Sequence, residues 1–139
     1  TNGRIIQLLY NGTNSGTIQV NNGAAPTLVA PSDYRIKENI VPITDAIERM
    51  KNAKAYTYNI IETVNPDKPQ IVGFIAHELA EVEPSAVTGE KDAIDENGNP
   101  IYQEVAEAKI VPIMAQAIND LIAKVEALEE RIAFLENKA

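Results

Sequence analysis

Residues 118–136 read INDLIAKVEALEERIAFLE, and this stretch decides the architecture of the C-terminal part of the chain. Its large apolar residues recur at alternating steps of three and four, the period of a helix that pairs with other helices along one apolar seam. In heptad terms the a positions are Ile118, Val125 and Ile132, and the d positions are Leu121, Leu128 and Leu135. The pattern predicts a coiled-coil helix.

Two further features define this helix. Pro112 is tolerated only in the first turn, so the helix should begin near residues 108–112, which makes residues 108–139 the C-terminal segment. Lys124 and Arg131 fall at g positions, and Glu129 and Glu136 at e positions. Because each base can reach the following acid of a neighbouring helix, the charges predict a parallel, in-register bundle. The alternative is an amphipathic helix folded back on its own domain.

The number of helices in the bundle is contested within the sequence. β-Branched residues at a with leucine at d favour two strands, whereas Ala117 at g and Ile122 at e widen the apolar face. Residues 131–136 also resemble the Arg-h-x-x-h-Glu pattern (h hydrophobic) of short trimeric coiled coils. We therefore expect a trimer rather than a dimer, held by Ile118, Leu121, Val125, Leu128, Arg131, Ile132, Leu135 and Glu136.

Composition changes sharply at Ser32. Residues 1–31 carry one charged side chain, Arg4, whereas residues 32–139 hold all 20 acids and 11 of the 12 bases. Residues 4–10 and 16–20 are strand-like, and each is followed by an Asn-Gly pair suited to a tight turn. Such a small β-rich piece cannot fold alone. We expect it to be the end of a longer β-structure that pairs with other chains.

Residues 32–107 predict a compact α/β unit, so the whole chain is assigned to the α+β class. A helix is expected over residues 43–50, strands over 56–61 and 71–76, and a helical turn over 77–82 that ends at Pro84. The segment 65–69 is turn-rich, and residues 96–100 predict a turn between short strands at 93–94 and 101–105. Glu78, Glu81 and Glu83 are expected to form a solvated face.

Composition also excludes several functions. A net charge of −8 and a pI near 4.6 disfavour nucleic-acid binding, which needs a basic face, and disfavour an anionic membrane surface. No apolar run reaches the length of a membrane span. The chain has no cysteine, which rules out disulfides and thiolate metal sites. The acidic residues 92–97 lack the spacing of a calcium loop. No cofactor or metal is expected, and the initial Thr1 indicates a piece of a longer protein.

Three motifs carry a resemblance to a known family. Residues 32–40, Ser-Asp-Tyr-Arg-Ile-Lys-Glu-Asn-Ile, resemble the Ser-Asp-x-Arg-hydrophobic-Lys-x-Asn-Ile opening of the endosialidase-type intramolecular chaperones. These domains are also classed as S74 self-cleaving peptidases. They lie at the C-termini of bacteriophage tail fibres, tailspikes and neck appendages. Residues 72–79 and 110–118 resemble two later segments of the family in the right order. One departure is His77, where the family commonly has glutamine.

The resemblance implies a reactive site at the composition break. Ser32 would attack the carbonyl of Pro31, with Lys37 as general base. A five-residue separation does not by itself bring the two side chains together, so a turn or a neighbouring chain must do so. Arg35 and Asn39 are candidates for stabilising the oxyanion, although Arg35 could pair with a carboxylate and Asn39 could simply shape a turn. Without the resemblance, Ser32 and Asp33 would be interpreted as a turn cap, and His77 as structural.

The functional expectation follows from the resemblance. The chain would be an intramolecular chaperone that trimerises, assists the folding of an upstream β-structured fibre (residues 1–31 being its end), and then cuts itself off before Ser32. A trimerisation cap that stays attached is the alternative. The partners would be two identical copies and the upstream fibre of the same polypeptide. Assembly would occur in the host cytoplasm, with the mature fibre on the virion tail and the chaperone domain released.

Overall fold

The computed structural model describes residues 2–21, 24–61, 67 and 69–138. They form small sheets and a long C-terminal helix, which confirms the predicted mixed α+β class. Two compact units are present, Thr1–Pro42 and Ile43–Ala139, called unit 1 and unit 2 below. The boundary between these units lies after Pro42, whereas the change in composition lies before Ser32. The three-part division 1–31, 32–107 and 108–139 stays a prediction, and the turn predicted at 65–69 lies mostly outside the described residues.

Unit 1 contains a three-stranded antiparallel sheet. Strands β1 (Asn2–Tyr10), β2 (Thr13–Asn21) and β3 (Thr27–Val29) lie in the order β1-β2-β3. Asn11 and Gly12 form the first turn with φ angles of 48° and 76°, the conformation for which an Asn-Gly pair is suited. Both predicted strands are confirmed. Strand β3 was not predicted, because three residues are too few to establish a period.

The side chains of unit 1 bury little apolar surface. Among the side chains that the structure describes, the fully buried apolar ones all lie at residue 46 or beyond. Leu9, Tyr10 and Leu28 of the sheet are 59%, 73% and 73% exposed. The sheet therefore leaves apolar surface open that a stable β-structure would cover.

Unit 2 alternates short helices and strands before the long helix. Its elements are α1 (Ala46–Asn52), β4 (Ala55–Asn59), β5 (Gln70–Phe74), α2 (Ala76–Val82), β6 (Val87–Thr88), β7 (Glu104–Val105) and α3 (Val111–Glu136). Strand β4 pairs antiparallel with β5, and β6 with β7. A 3₁₀ turn over Glu107–Ile110 leads into α3 with Pro112 in its first turn, as predicted.

Two strand predictions in unit 2 were wrong in their extent and pairing. The strand expected over 101–105 shortens to Glu104–Val105, and it pairs with β6. Residues 93–94 form no strand, and Ile94 makes only an isolated bridge to Pro100. The turn between them is held by Asp95, whose carboxylate accepts backbone hydrogen bonds from Asn97 and Asn99 at 2.8 Å each. The carboxylate thus accepts from backbone N–H groups that would otherwise need partners in a longer pair of strands.

The core of unit 2 consists of two linked clusters. In one, Ala46 of α1 packs against Ile113 and Ala117 of α3. In the other, Leu79 packs against Ala86 and Ile110, and partly buried apolar side chains pack around these three residues. Met50 contacts both clusters and joins them. The core therefore attaches the start of α3 to the helices that precede it.

Helix α3 presents two different faces. Ile113 and Ala117 are buried against α1, whereas the heptad seam is about half exposed: Met114 47%, Ile118 54%, Leu121 50%, Val125 52%, Leu128 58%, Ile132 54% and Leu135 56%. The seam therefore has no partner within the described chain. The alternative of an amphipathic helix folded back on its own domain describes the first turns of α3, which pack on α1, but not the exposed seam. The expected use of Ala117 in a widened seam is wrong, because its methyl group is already buried on α1.

Two of the three glutamates expected on a solvated face are structural instead. Glu83 accepts from the guanidinium of Arg49, which also donates two hydrogen bonds to the carbonyl of Val82 at 2.9 and 2.7 Å. Hydrogen bonds from Ser85 and then from Arg49 hold the pKa of Glu83 below its usual value, against the opposing effect of burial. Glu78 accepts from the Tyr56 hydroxyl at 2.7 Å, and this bond raises the pKa of Tyr56. Glu81 remains exposed.

Candidate active site

The segment that carries the candidate nucleophile folds into one tight turn. A 3₁₀ turn spans Tyr34–Ile36, with Asp33 as its N-cap. Two backbone bonds close it, from Ile36 N–H to the Asp33 carbonyl at 3.2 Å and from Lys37 N–H to the Tyr34 carbonyl at 3.1 Å. Lys37 has an extended backbone, with φ −118° and ψ 138°, so the turn ends at this residue and the chain changes direction between Ser32 and Lys37.

This reversal brings the two candidate catalytic side chains into contact. Lys37 Nζ lies 2.7 Å from Ser32 Oγ, a hydrogen-bond distance, within a single chain. The sequence left open whether a turn or a neighbouring chain would close the five-residue gap, and the turn at 34–36 closes it. The distance is within the reach that a nucleophile and its general base require.

The charged residues of the motif form a second local pair. The guanidinium of Arg35 donates from Nε to Asp33 Oδ1 and from a terminal nitrogen to Asp33 Oδ2, both at 2.8 Å. The backbone N–H of Arg35 donates to the same Oδ1 at 2.9 Å. These bonds lower the pKa of the Asp33 carboxyl and raise that of Arg35. Arg35 is thus paired with a carboxylate, which was one of its two predicted roles, and Asp33 is the turn cap.

The remaining motif residues shape the backbone. Asn39 has a φ of 54°, a left-handed conformation that asparagine adopts more readily than most residues. Pro31, on the other side of the candidate bond, is exposed. In fact every residue from 31 to 42 is exposed, so the whole site lies at the surface of the single chain.

His77 lies in unit 2, outside this turn. It occupies the first turn of α2 and lines a pocket of about 510 Å³ with Tyr58, Phe74, Tyr102 and other residues of the same unit. The structure describes no hydrogen bond from its imidazole. Its neighbours agree with the structural role that the sequence favoured.

The described residues contain neither a candidate metal cluster nor a helix that could span a membrane. No group of three or more histidine, aspartate or glutamate side chains there is arranged to hold a metal ion. Within the same residues, none of the helices has the length and apolar character needed to span a membrane.

Comparison with known proteins agrees with the motif at this turn. A family model described as chaperone of endosialidase, peptidase S74, matches residues 32–88, so the match begins at Ser32. The predicted resemblance to this family is therefore confirmed over residues 32–88.

Two curated relatives extend the similarity beyond the family match. The long tail fiber proteins Gp37 of Enterobacteria phage K3 and of Enterobacteria phage T2 are each 28% identical to this chain over 109 residues, which is 78% of the chain. The chain spans about 8% of the length of either relative.

Proposed function

We propose that this chain is an intramolecular chaperone that aligns three copies through α3 and then cuts itself off between Pro31 and Ser32. The observation that carries the proposal is the 2.7 Å contact between Lys37 Nζ and Ser32 Oγ, located at the first residue of the family match. Ser32 is the nucleophile and Lys37 is the general base.

The reaction would proceed in two stages. Neutral Lys37 takes the hydroxyl proton of Ser32, and Oγ attacks the carbonyl carbon of Pro31 to form a tetrahedral intermediate. The bond between Pro31 carbon and Ser32 nitrogen then breaks, and the lysine returns its proton to the departing amine. The product is an ester between Pro31 and the Ser32 hydroxyl. One water molecule hydrolyses this ester, which leaves a Pro31 carboxylate and a new N-terminus at Ser32.

The exposure of the site indicates when the reaction would occur. A lysine acts as a base only without its proton, and desolvation is the usual cause of proton loss. Lys37 is exposed in the single chain, so something outside that chain must cover it. Tyr34, Ile36 and Ile40 around it are 76%, 65% and 72% exposed, and this apolar surface suits contact with a neighbouring copy. Cleavage would thus follow assembly.

The unpartnered seam of α3 supports assembly through this helix. Six a and d residues leave about half of their surface open along one face. Removing that surface from water in a parallel bundle would stabilise the assembly. The trimeric pattern at residues 131–136 favours a bundle of three helices. Ala117 packs against α1, however, which removes one of the arguments against a bundle of two helices. Aligned helices would also reduce the entropy cost of starting an intertwined upstream β-structure.

The partners and location in this proposal rest on the family resemblance, and the relatives, which are long tail fiber proteins, support an association with a fibre. The chain would act on an upstream β-structured fibre of the same polypeptide, of which residues 1–31 are the end. It would assemble in the host cytoplasm, the mature fibre would remain on the virion tail, and the chaperone domain would be released. The open apolar surface of the unit 1 sheet agrees with a continuing β-structure or neighbouring chains.

A second candidate is a trimerisation cap that is never cut. The exposure of both Ser32 and Lys37 favours it, because a lysine that acts as a general base is usually buried. In this case the Ser32–Lys37 contact would only stabilise the turn.

Denaturing electrophoresis with N-terminal sequencing separates the two candidates. We expect the assembled wild-type chain to yield a fragment that begins at Ser32. Ser32→Ala should abolish this fragment, and Lys37→Met should slow its appearance by at least about 100-fold. Lys91→Met, at another exposed lysine, is the matched control and should cut normally. An assembled wild-type chain that never releases this fragment would leave only the cap.

A further inference from the structure

We infer that Asp33 and Arg35 act together as a clamp that positions Lys37 against Ser32. Both are therefore positioning residues of the reaction, and the effect on rate rests on the function proposed above. The geometric part of the inference, that the clamp sets the distance between residues 32 and 37, does not depend on cleavage.

The clamp consists of three hydrogen bonds between residues only two apart. Asp33 Oδ1 accepts from both the backbone N–H and Nε of Arg35, at 2.9 and 2.8 Å, and Oδ2 accepts from the terminal guanidinium nitrogen at 2.8 Å. The planar guanidinium matches a carboxylate on two atoms at once, which fixes orientation as well as distance. One carboxylate thus holds the backbone and the side chain of the residue in the middle of the turn.

The turn is what brings Ser32 and Lys37 together. In an extended strand, residues five apart would be about 17 Å apart and would point to opposite faces. On a helix they would be about 140° apart around the axis. The 2.7 Å contact requires the reversal at Tyr34–Ile36, which ends with the backbone N–H of Lys37 itself.

Little else in the described structure supports this turn. Residues 31–42 are all exposed, so no apolar burial holds the turn in shape. Its two backbone bonds close a single 3₁₀ turn, and such short turns are marginal in water. The hydrogen bonds from Arg35 lower the pKa of Asp33, so its carboxylate stays ionised and able to accept to a lower pH than usual. The clamp therefore supplies the constraint that the backbone alone lacks.

The clamp and the oxyanion role of Arg35 predict opposite effects of removing Asp33 on the cleavage rate. Two of the three guanidinium nitrogens are bound to Asp33. If Arg35 stabilised the oxyanion, Asp33 would compete for it, and removing Asp33 would leave the cleavage rate unchanged or raise it. If Asp33 and Arg35 form a clamp, removing Asp33 lowers the rate.

The first test measures proximity without cleavage. The chain has no cysteine, so Ser32→Cys introduces a single thiol, whose pKa can be read from the pH dependence of alkylation by iodoacetamide on the intact chain. A nearby Lys37 ammonium lowers that pKa below about 8.5. Adding Lys37→Met should raise the thiol pKa and set the upper limit.

Adding Asp33→Ala to Ser32→Cys should raise the thiol pKa by at least about half a unit, because Lys37 moves away. The sign is decisive, since removing a nearby negative charge would by itself stabilise the thiolate and lower the pKa. Glu38→Ala, which removes an exposed acid outside the clamp, is the control for that electrostatic effect. A thiol pKa that falls or stays constant in the Asp33→Ala variant overturns the clamp.

The second test is a double-mutant cycle on cleavage in the assembled full chain. Asp33→Ala and Arg35→Ala should each slow cleavage by at least about 10-fold, since small misplacements of a reacting group are costly. The double variant should be no more than about twofold slower than the slower single variant. Asp33→Asn keeps an acceptor for the Arg35 N–H, so its cleavage rate should fall between those of the wild type and of Asp33→Ala. Full activity of Asp33→Ala, or additive effects, would refute the clamp; a wild type that never cuts would refute only the proposed function.

Discussion

The turn around Ser32 and the unit that begins at Ile43 are held together in different ways. The turn depends on hydrogen bonds between residues at most five apart, and residues 31–42 are all exposed. Unit 2 depends on contacts between distant residues, such as Ala46 with Ile113 and Arg49 with Glu83. One region is built from local polar bonds, and the other from long-range packing.

This difference separates the residues of the proposed reaction, which lie in the turn, from those that stabilise unit 2. Changes in the turn should alter the contact of Ser32 with Lys37 and leave the core of unit 2 intact. Changes in the core should alter folding and leave the local geometry of the turn unaffected. The seam of α3 belongs to neither category, because its surface is open in the single chain and available for association.

The largest expected effect concerns the seam. Leu128→Asp places a charge at a d position, where assembly would bury it without a partner. We expect association to weaken by more than about 100-fold in sedimentation equilibrium and cleavage to fall with it. Ala127→Asp adds the same charge on the outer face and should assemble normally. If Leu128→Asp assembled like the wild type, the seam would not be the contact surface.

A smaller effect is expected from a matched pair of leucine truncations. Leu79 is 2% exposed in the core of unit 2, whereas Leu28 in the sheet of unit 1 is 73% exposed. Leu79→Ala should lower the free energy of unfolding by about 3 kcal/mol, and Leu28→Ala by less than about 0.5 kcal/mol. Denaturant unfolding at matched protein concentration measures both. Equal losses would contradict the contrast between the two regions.

The smallest effect distinguishes two carboxylates whose pKa values are both lowered. Glu83 joins α1 to the end of α2, so Glu83→Gln should cost about 1 kcal/mol near pH 7. Because the folded-state pKa lies below the ordinary 4.5, this stabilisation is complete above that value and is lost as the pH falls through the folded pKa.

Asp33→Asn is the counterpart in the turn. Among the residues that the structure describes, its carboxylate bonds only to Arg35, two residues away, so the substitution should leave the unfolding of unit 2 unchanged at every pH. The measurement is unfolding by denaturant across pH 3–7. A pH-dependent loss of unit 2 stability in Asp33→Asn would show that the two regions are energetically coupled.

The sequence predicted the elements with strong periodicity or specific turn chemistry. Helix α3, its start at Pro112 and the turn at Asn11-Gly12 followed directly from spacing and residue type. It did not predict β3 or the pairing of β6 with β7, because two- and three-residue strands carry no period and their partners are set by tertiary packing.

The family resemblance named the candidate residues Ser32 and Lys37, but the sequence could not predict their geometry. A separation of five residues brings two side chains together on neither a helix nor a strand. The contact became visible only with the turn that Asp33 caps. The role of Asp33 had a sequence signal, since aspartate favours N-caps and its side chain can accept from the backbone N–H two residues on. The same limit applied to Glu83, whose partner Arg49 is 34 residues away in sequence.

The two faces of α3 also constrain how the chain can change in length. Ala117 packs against α1, and Ile118 is the first a residue of the seam. The side chains of adjacent residues point about 100° apart around a helix axis. Inserting one residue between Ala117 and Ile118 would rotate the seam by about 100° relative to the core of unit 2 while both halves stayed helical. Seven residues added beyond Val125 would restore the phase to within about 20°. The seam could therefore be lengthened or exchanged in whole heptads, whereas the junction at residues 117–118 does not tolerate a single added residue.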